Sequence, residues 1–368
     1  MKAGQTGGDP MMNGWVVARW MMGLALLVMV PANLLGPVGR TWGLPEVKGA
    51  MKRSLRVVEY KGWKQSLQLS NGTVELVMPL EIGPRIMRYA RIGGPNVFKE
   101  YEEQLGRQGE KDWMIRGGHR LWHAPEDDVR TYVRDNGPIR YEPLGDSGVR
   151  LIQPLEATTG IEKEIDIHLD AEGSGVTIVH RLRNRNLWEV ELAPWCLSVM
   201  AQDGIAIIPL PEKIAHPGSV PPGETRDLRG FVANQRLILW PFTDLADPRY
   251  RWGSRYITLR QDRQATRPTK IGLAHQMGWV GYLNQGQLFV KRFDYEAGQN
   301  YTDSGSNFET FTNSDMLEIE SLGPLRRMAP GAMIEHTERW WLIDGIAGET
   351  SDAAIDQNIR PKVERLVR

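Results

Sequence analysis

The segment SLQLSNGTVELVM, residues 66–78, decides how this chain is built. Leu67 and Leu69 alternate with polar residues before Asn71-Gly72, and Val74, Leu76 and Met78 alternate after it. A period of two sends successive side chains to opposite faces of a strand, and Asn-Gly between two such runs is a strong hairpin signal. The stretch IEKEIDIHLDAEGSGVTIVHRLRN (161–184) repeats the device, with Ile165, Ile167 and Leu169 on one face, a Gly-rich turn, then Val176, Ile178 and Leu182. Strand patterns recur in RLILWPF (236–242), RYITLRQ (255–261), TKIGLAH (269–275), WVGYLNQGQLFVKRFDY (279–295), MLEIESL (316–322) and MIEHTERWWLI (333–343). About a dozen or more strands joined by Gly, Pro, Asn and Asp turns predict an all-β fold, a large antiparallel β-sandwich with few helices, over residues 50–345. The longest irregular stretches, 98–118 and 210–235, are where binding residues would sit on such a scaffold. Residues 346–368 predict a C-terminal helix, with Ser351 as cap, Ile355, Ile359, Val363 and Leu366 at helical spacing, and a kink at Pro361.

Lys plus Arg and Asp plus Glu both number 45, so no global field draws the chain to nucleic acid, and anion recognition has to be local. A hydrophobic fraction of 41% supplies a sizeable core. The single cysteine, Cys196, lies in the apolar run LAPWCLSVM and reads as a packed hydrophobe; a disulfide framework is excluded. Between Arg19 and Arg40 there is no charge, so residues 1–45 read as an export signal or a membrane anchor. VPA (30–32) offers small residues to a signal peptidase, and Pro31 would interrupt a spanning helix. Both readings put the folded part outside the cytoplasm, periplasmic or extracellular, with the membrane touched only through an uncleaved N-terminal segment.

Three stretches carry the chemistry: LEIGPRIMRY (80–89), GGHRLWHAPE (117–126) and LEIESLGPLRRMAPG (317–331), the last followed by ERWWL. Together they resemble the galactose mutarotase-like superfamily, and within it a bacterial group with the Gly-Gly-His-Arg-Leu-Trp motif. The resemblance covers roughly residues 60–345 and implies a β-supersandwich that binds a carbohydrate, with aldose or sugar-derivative epimerisation as its chemistry and no cofactor. It also implies that Glu320, on a late strand before the LGPLRRMAPG turn, is the base and His119 the acid or orienting partner. Glu309 in SNFETFT is the rival base, at a spacing from Pro330-Gly331 closer to that of the aldose epimerases. The chain departs from those enzymes in lacking their second histidine; the corresponding strand, NRNLWEVELAPWCLSVM, offers Trp188 and Trp195 instead. A non-catalytic glycan-binding module and a polysaccharide lyase or hydrolase are the alternatives, since fold does not fix function.

Mutarotation needs a base on the anomeric hydroxyl and an acid at the ring oxygen, and aromatic side chains suit the C–H faces of a sugar. The binding candidates are therefore Arg85, Arg120, Trp122, His123, Glu126, Trp195, Lys270, Asp303 and Glu309. His119 and His123 at i, i+4 with Glu126 could hold a metal on a helix, but Pro125 and the glycine pair point to a loop, so no metal is expected. Glu318 shares the face of Glu320 by the period of two. Arg85, Arg116, Arg120 and Lys270, all in or near the motifs, predict a preference for anionic sugars.

Overall fold

The structure, a computed structural model, describes residues 53–367. The export segment or anchor of residues 1–45 lies outside the described residues. The strands in chain order begin with β1 (Ser54–Tyr60), β2 (Trp63–Ser70), β3 (Val74–Pro79), β4 (Arg85–Ile86), β5 (Arg88–Arg91), β6 (Gly118–Ala124), β7 (Arg140–Leu144) and β8 (Gly148–Ile152). They continue with β9 (Ile161–Leu169), β10 (Val176–Asn184), β11 (Val190–Met200), β12 (Ile205–Pro209), β13 (Leu237–Leu239), β14 (Tyr250–Trp252), β15 (Tyr256–Arg260) and β16 (Thr269–Leu273). The last are β17 (Trp279–Asn284), β18 (Gln287–Phe293), β19 (Phe308–Thr312), β20 (Leu317–Leu322), β21 (Arg326–Met328) and β22 (Met333–Asp344).

Ten strands form one sheet, in the order β14-β15-β12-β17-β18-β22-β10-β9-β8-β7. Eight form a second, β13-β16-β19-β20-β11-β6-β4 with β21 attached to β11, and four form a third, β1-β2-β3-β5. The fold is an all-β antiparallel sandwich, as the alternation of the sequence predicts. Both quoted hairpins form: β2 pairs with β3 and β9 with β10, and the Asn71 side chain accepts from the backbone N–H groups of Thr73 and Val74 in its turn.

The main core contains Ile165, Ile167, Val176 and Ile178 of the ten-stranded sheet, Leu121, Cys196 and Ile319 of the eight-stranded sheet, and Leu67 and Leu69 of the smallest. The C-terminal segment is helical but in two pieces, α1 (Asp352–Asn358) and α2 (Arg360–Val367). The break falls just before Pro361, whose ring and missing N–H disrupt the preceding turn. Ser351 caps α1 through Ala354 N–H. Ile355, Ile359 and Val363 pack with Tyr256, Trp279 and Trp341. Among the described residues no helix is long and apolar enough to cross a membrane.

Sequence reasoning fails at one decisive place. The GGHRLWHAPE motif is not a loop: Gly118–Ala124 is β6, buried along its whole length between β4 and β11. The glycines make this possible. Gly117 has φ +85°, and a Cβ there would lie 2.0 Å from the Lys99 carbonyl oxygen; Gly118 has φ +70°, and a Cβ would lie 2.6 Å from that of Ile86. Only glycine lets the chain turn into a strand this close to its neighbours.

Candidate functional site

β6 and β11 sort the motif residues by parity. Arg120 pairs with Leu197, which pairs with Glu320, which pairs with Glu309; these four form one row across β6, β11, β20 and β19 on the outer face of the eight-stranded sheet. Trp122 and Trp195 pair in the next row on that face. His119 pairs with Ser198 and Ser198 with Ile319, on the inner face.

On the outer face lies a pocket of about 350 Å³, lined by Arg120, Trp122, Trp195, Lys270 and Glu318 from the sheet and by Trp113, Glu126, Tyr132, Trp240 and Phe242 from the flanking segments. Both cations of the pocket are paired, although Arg120 Nε and Nη1 have no hydrogen-bond partner. Arg120 Nη2 donates to Glu318 Oε1 at 3.0 Å while its guanidinium lies over Trp122 (4.3 Å) and Trp113 (5.6 Å). Lys270 Nζ contacts Glu309 (2.7 Å) and Glu320 (3.3 Å) and lies over Trp195 and Trp240. Trp195 Nε1 donates to Glu320 Oε2 at 2.9 Å. Glu126 stands exposed at the rim, accepting from Tyr132 Oη at 2.5 Å.

Burial pushes the Glu318 carboxyl up to about 7 against the pull of Arg120. It pushes Glu309 up to about 8, against Lys270 and with help from Glu320. For Lys270 burial works the other way, but Glu320 and Glu309 outweigh it and hold the ammonium above its ordinary range. Carboxyls with a raised pKa in an aromatic cleft can both give and take protons near neutrality.

Of the residues singled out in the sequence, Arg120, Trp122, Glu126, Trp195 and Lys270 line this pocket; Glu309 and Glu320 stand behind Lys270, 1% and 0% exposed. The others do not join them. His119 is on the wrong face to meet Glu320. It is fully buried between the sheets, with Nδ1 2.9 Å from Ser198 Oγ, Nε2 2.7 Å from His180 Nε2, and Trp340 edge-on at 4.6 Å. Arg85 does not reach the pocket either: its Nε donates to Asp135 and its Nη atoms to the carbonyls of Met114, Ile115 and Gly117, so it holds the 110–117 segment in place. Arg116 ties the same segment through Glu110, Asn136 and two backbone carbonyls. His123 faces inward, 3.8 Å from Glu156. Asp303, with φ +49°, lies in the turn before β19 and reaches Glu309 only through its charge. Trp188 precedes β11 and is 63% exposed. The sequence reading missed Glu318 as a site residue, although its parity with Glu320 was legible, and missed the aromatic wall contributed by Trp113, Tyr132, Trp240 and Phe242.

The inner face carries its own polar cluster. The His180 Nδ1 faces the His336 carbonyl at 3.1 Å and must donate, so its Nε2 accepts from His119 Nε2–H, and His119 Nδ1 accepts from the Ser198 hydroxyl. Ser321 donates to Glu338, which also accepts from Trp340 Nε1 and sits 2.8 Å from Lys291 Nζ. Burial first, then the Lys291 charge, holds His119 well below the usual histidine range, and burial lowers His180 to about 3. Two ligand-like triads lie here, His119-His180-Glu338 and Cys196-His336-Glu338. Their nitrogens and oxygens are engaged by Ser198, Ser321, Trp340, the His336 carbonyl and, between His119 and His180, each other, and Glu338 pairs with Lys291.

The fold and the site define a class: an antiparallel sandwich protein whose larger-scale architecture leaves a pocket of aromatic and carboxyl side chains on the outer face of one sheet. No protein-family model and no curated protein matches the sequence. Solved structures with a similar fold include a TPR-domain containing protein from Parabacteroides distasonis, 12% identical with a TM-score of 0.50 over 82% of this chain. This chain spans 56% of the length of that one. Also similar are the Slr1438 protein from Synechocystis (12% identity, TM-score 0.49, 78% of this chain and 99% of that one) and a galactose mutarotase-like protein from Lactobacillus casei (10%, 0.46, 76% and 100%).

Proposed function

We propose that the protein binds a carbohydrate in the outer-face pocket and interconverts its anomers by proton transfer, with Glu318 as the carboxyl that meets the sugar. The observation that carries the reading is the position of Glu318: it lines an aromatic cleft, is paired with Arg120, and has an acidity near neutral pH. Indole faces at Trp122 and Trp195 suit pyranose C–H groups, and the carboxyls suit hydroxyls. Glu318 takes the proton of the anomeric hydroxyl and delivers it to the ring oxygen, and reclosure of the ring returns it. Glu320, the base implied by the family resemblance, stands behind Lys270 and does not touch the sugar in this reading, and His119 takes no part in the chemistry.

A binding module without catalysis is favoured by one observation, the burial of Glu309 and Glu320 behind Lys270. One experiment separates the two. NMR exchange measurements across a panel of aldoses should show anomer interconversion faster than in buffer. Glu318→Gln should slow it about 10²–10⁴-fold, as loss of a positioned acid or base does, with binding largely kept. Binding without acceleration in the wild type would leave the module reading standing.

A further inference from the structure

Glu309 and Glu320 stand directly opposite each other on β19 and β20. Each directs its Oε2 at the same ammonium, Lys270 Nζ. The second oxygen of each, Glu309 Oε1 and Glu320 Oε1, is buried without a hydrogen-bond partner. An ionised carboxylate only accepts, so two ionised groups here would leave two buried acceptors unsatisfied and two negative charges facing one positive. A single proton eases both conflicts. On either unpartnered oxygen it puts a donor in place of a buried, unsatisfied acceptor, and it makes the trio with Lys270 electrically neutral.

We infer that Glu309 and Glu320 hold one proton between them at neutral pH and work as a single unit behind Lys270, in place of the glutamate and histidine that the family resemblance implies. Burial pushes the Glu309 carboxyl up to about 8, with Glu320 and Asp303 adding to it and Lys270 opposing it. The charged groups around the pair are Lys270 on β16, Asp303 in the turn before β19, Glu318 on β20 and Arg120 on β6; Trp195 on β11 is the neutral donor. Glu309 is thus a positioning residue. It acts through Lys270, the one member of the trio that lines the pocket. The role of the unit in turnover rests on the carbohydrate reading; the shared proton does not.

The test is infrared spectroscopy of the full chain in deuterated buffer, following the carbonyl stretch of a protonated carboxyl. Glu318→Gln serves as background, because Glu318 also titrates near neutrality. That protein should show the band at pH 7 and lose it as the pH passes about 8. Adding Glu309→Gln or Glu320→Gln should each abolish the band, since either leaves one carboxylate for one ammonium, and the amide N–H replaces the shared proton. A band that is absent at pH 7, or that survives in both double variants, overturns the inference. Should those variants not fold, the pH course of the background protein decides alone. Where a sugar binds, wild-type affinity should fall above pH 8 and Glu309→Gln should flatten that fall. A panel in which no sugar binds refutes the carbohydrate reading and leaves the infrared result untouched.

Discussion

Replacing His119 with alanine tests the division of labour between the two faces of the eight-stranded sheet. The ring is fully buried, accepts from Ser198, donates to His180 and meets the edge of Trp340. Truncation leaves the Ser198 hydroxyl and His180 Nε2 without partners, at about 1–3 kcal/mol for each buried group. It also opens a cavity of ring size, for which aromatic-to-alanine substitutions cost about 3–5 kcal/mol in all. Water entering a polar cavity would recover part of the hydrogen bonding. The expected loss is therefore about 3–5 kcal/mol, a large share of the 5–15 kcal/mol typical of a folded domain. Urea unfolding should show a lower midpoint at an unchanged slope. Sugar binding and anomer exchange, measured below the transition, should stay within a few-fold of the wild type, because His119 does not face the pocket. An alanine variant with wild-type stability and no activity would refute this reasoning and return His119 to the chemistry.

Two further outcomes follow from the charge inventory and the N-terminus. Arg85 and Arg116 are tied to the 110–117 segment, and Arg120 and Lys270 face Glu318, Glu309 and Glu320, so a neutral sugar is expected to bind more tightly than an anionic one, opposite to the expectation from the sequence. Calorimetry at low salt should find glucose bound more tightly than glucuronate, and tighter glucuronate would show that a cation is free for it. For the export reading, N-terminal sequencing of secreted protein should begin after Ala32; recovery of Met1 would favour the anchor.

The alternation of residues fixed a great deal before any coordinates. It located the Asn71-Gly72 and 170–175 hairpins, the strand character of MLEIESL, and the common face of Glu318 and Glu320. The Ser351 cap and the break near Pro361 were equally local, since each depends on residues within one helical turn. Parity separates His119 from Arg120 only once β6 is recognised as a strand, because neighbours in a strand point to opposite faces. What parity cannot give is the identity of the faces. Whether His119 or Arg120 meets a ligand depends on which side of β6 the ten-stranded sheet covers, and β6 is placed by partners far along the chain, β4 and β11. The glycine pair misled for the same reason: a local reading sees a turn, whereas Gly117 and Gly118 are required by the carbonyls of Lys99 and Ile86 pressing against them. Glu309 and Glu320 lie eleven residues apart in sequence and side by side in the sheet. Only β19–β20 pairing, with Lys270 brought in on β16, turns two solvent-seeking carboxylates into a buried pair, since the burial that raises the pKa of Glu309 and the ammonium that opposes the shift come from groups the local sequence does not contain.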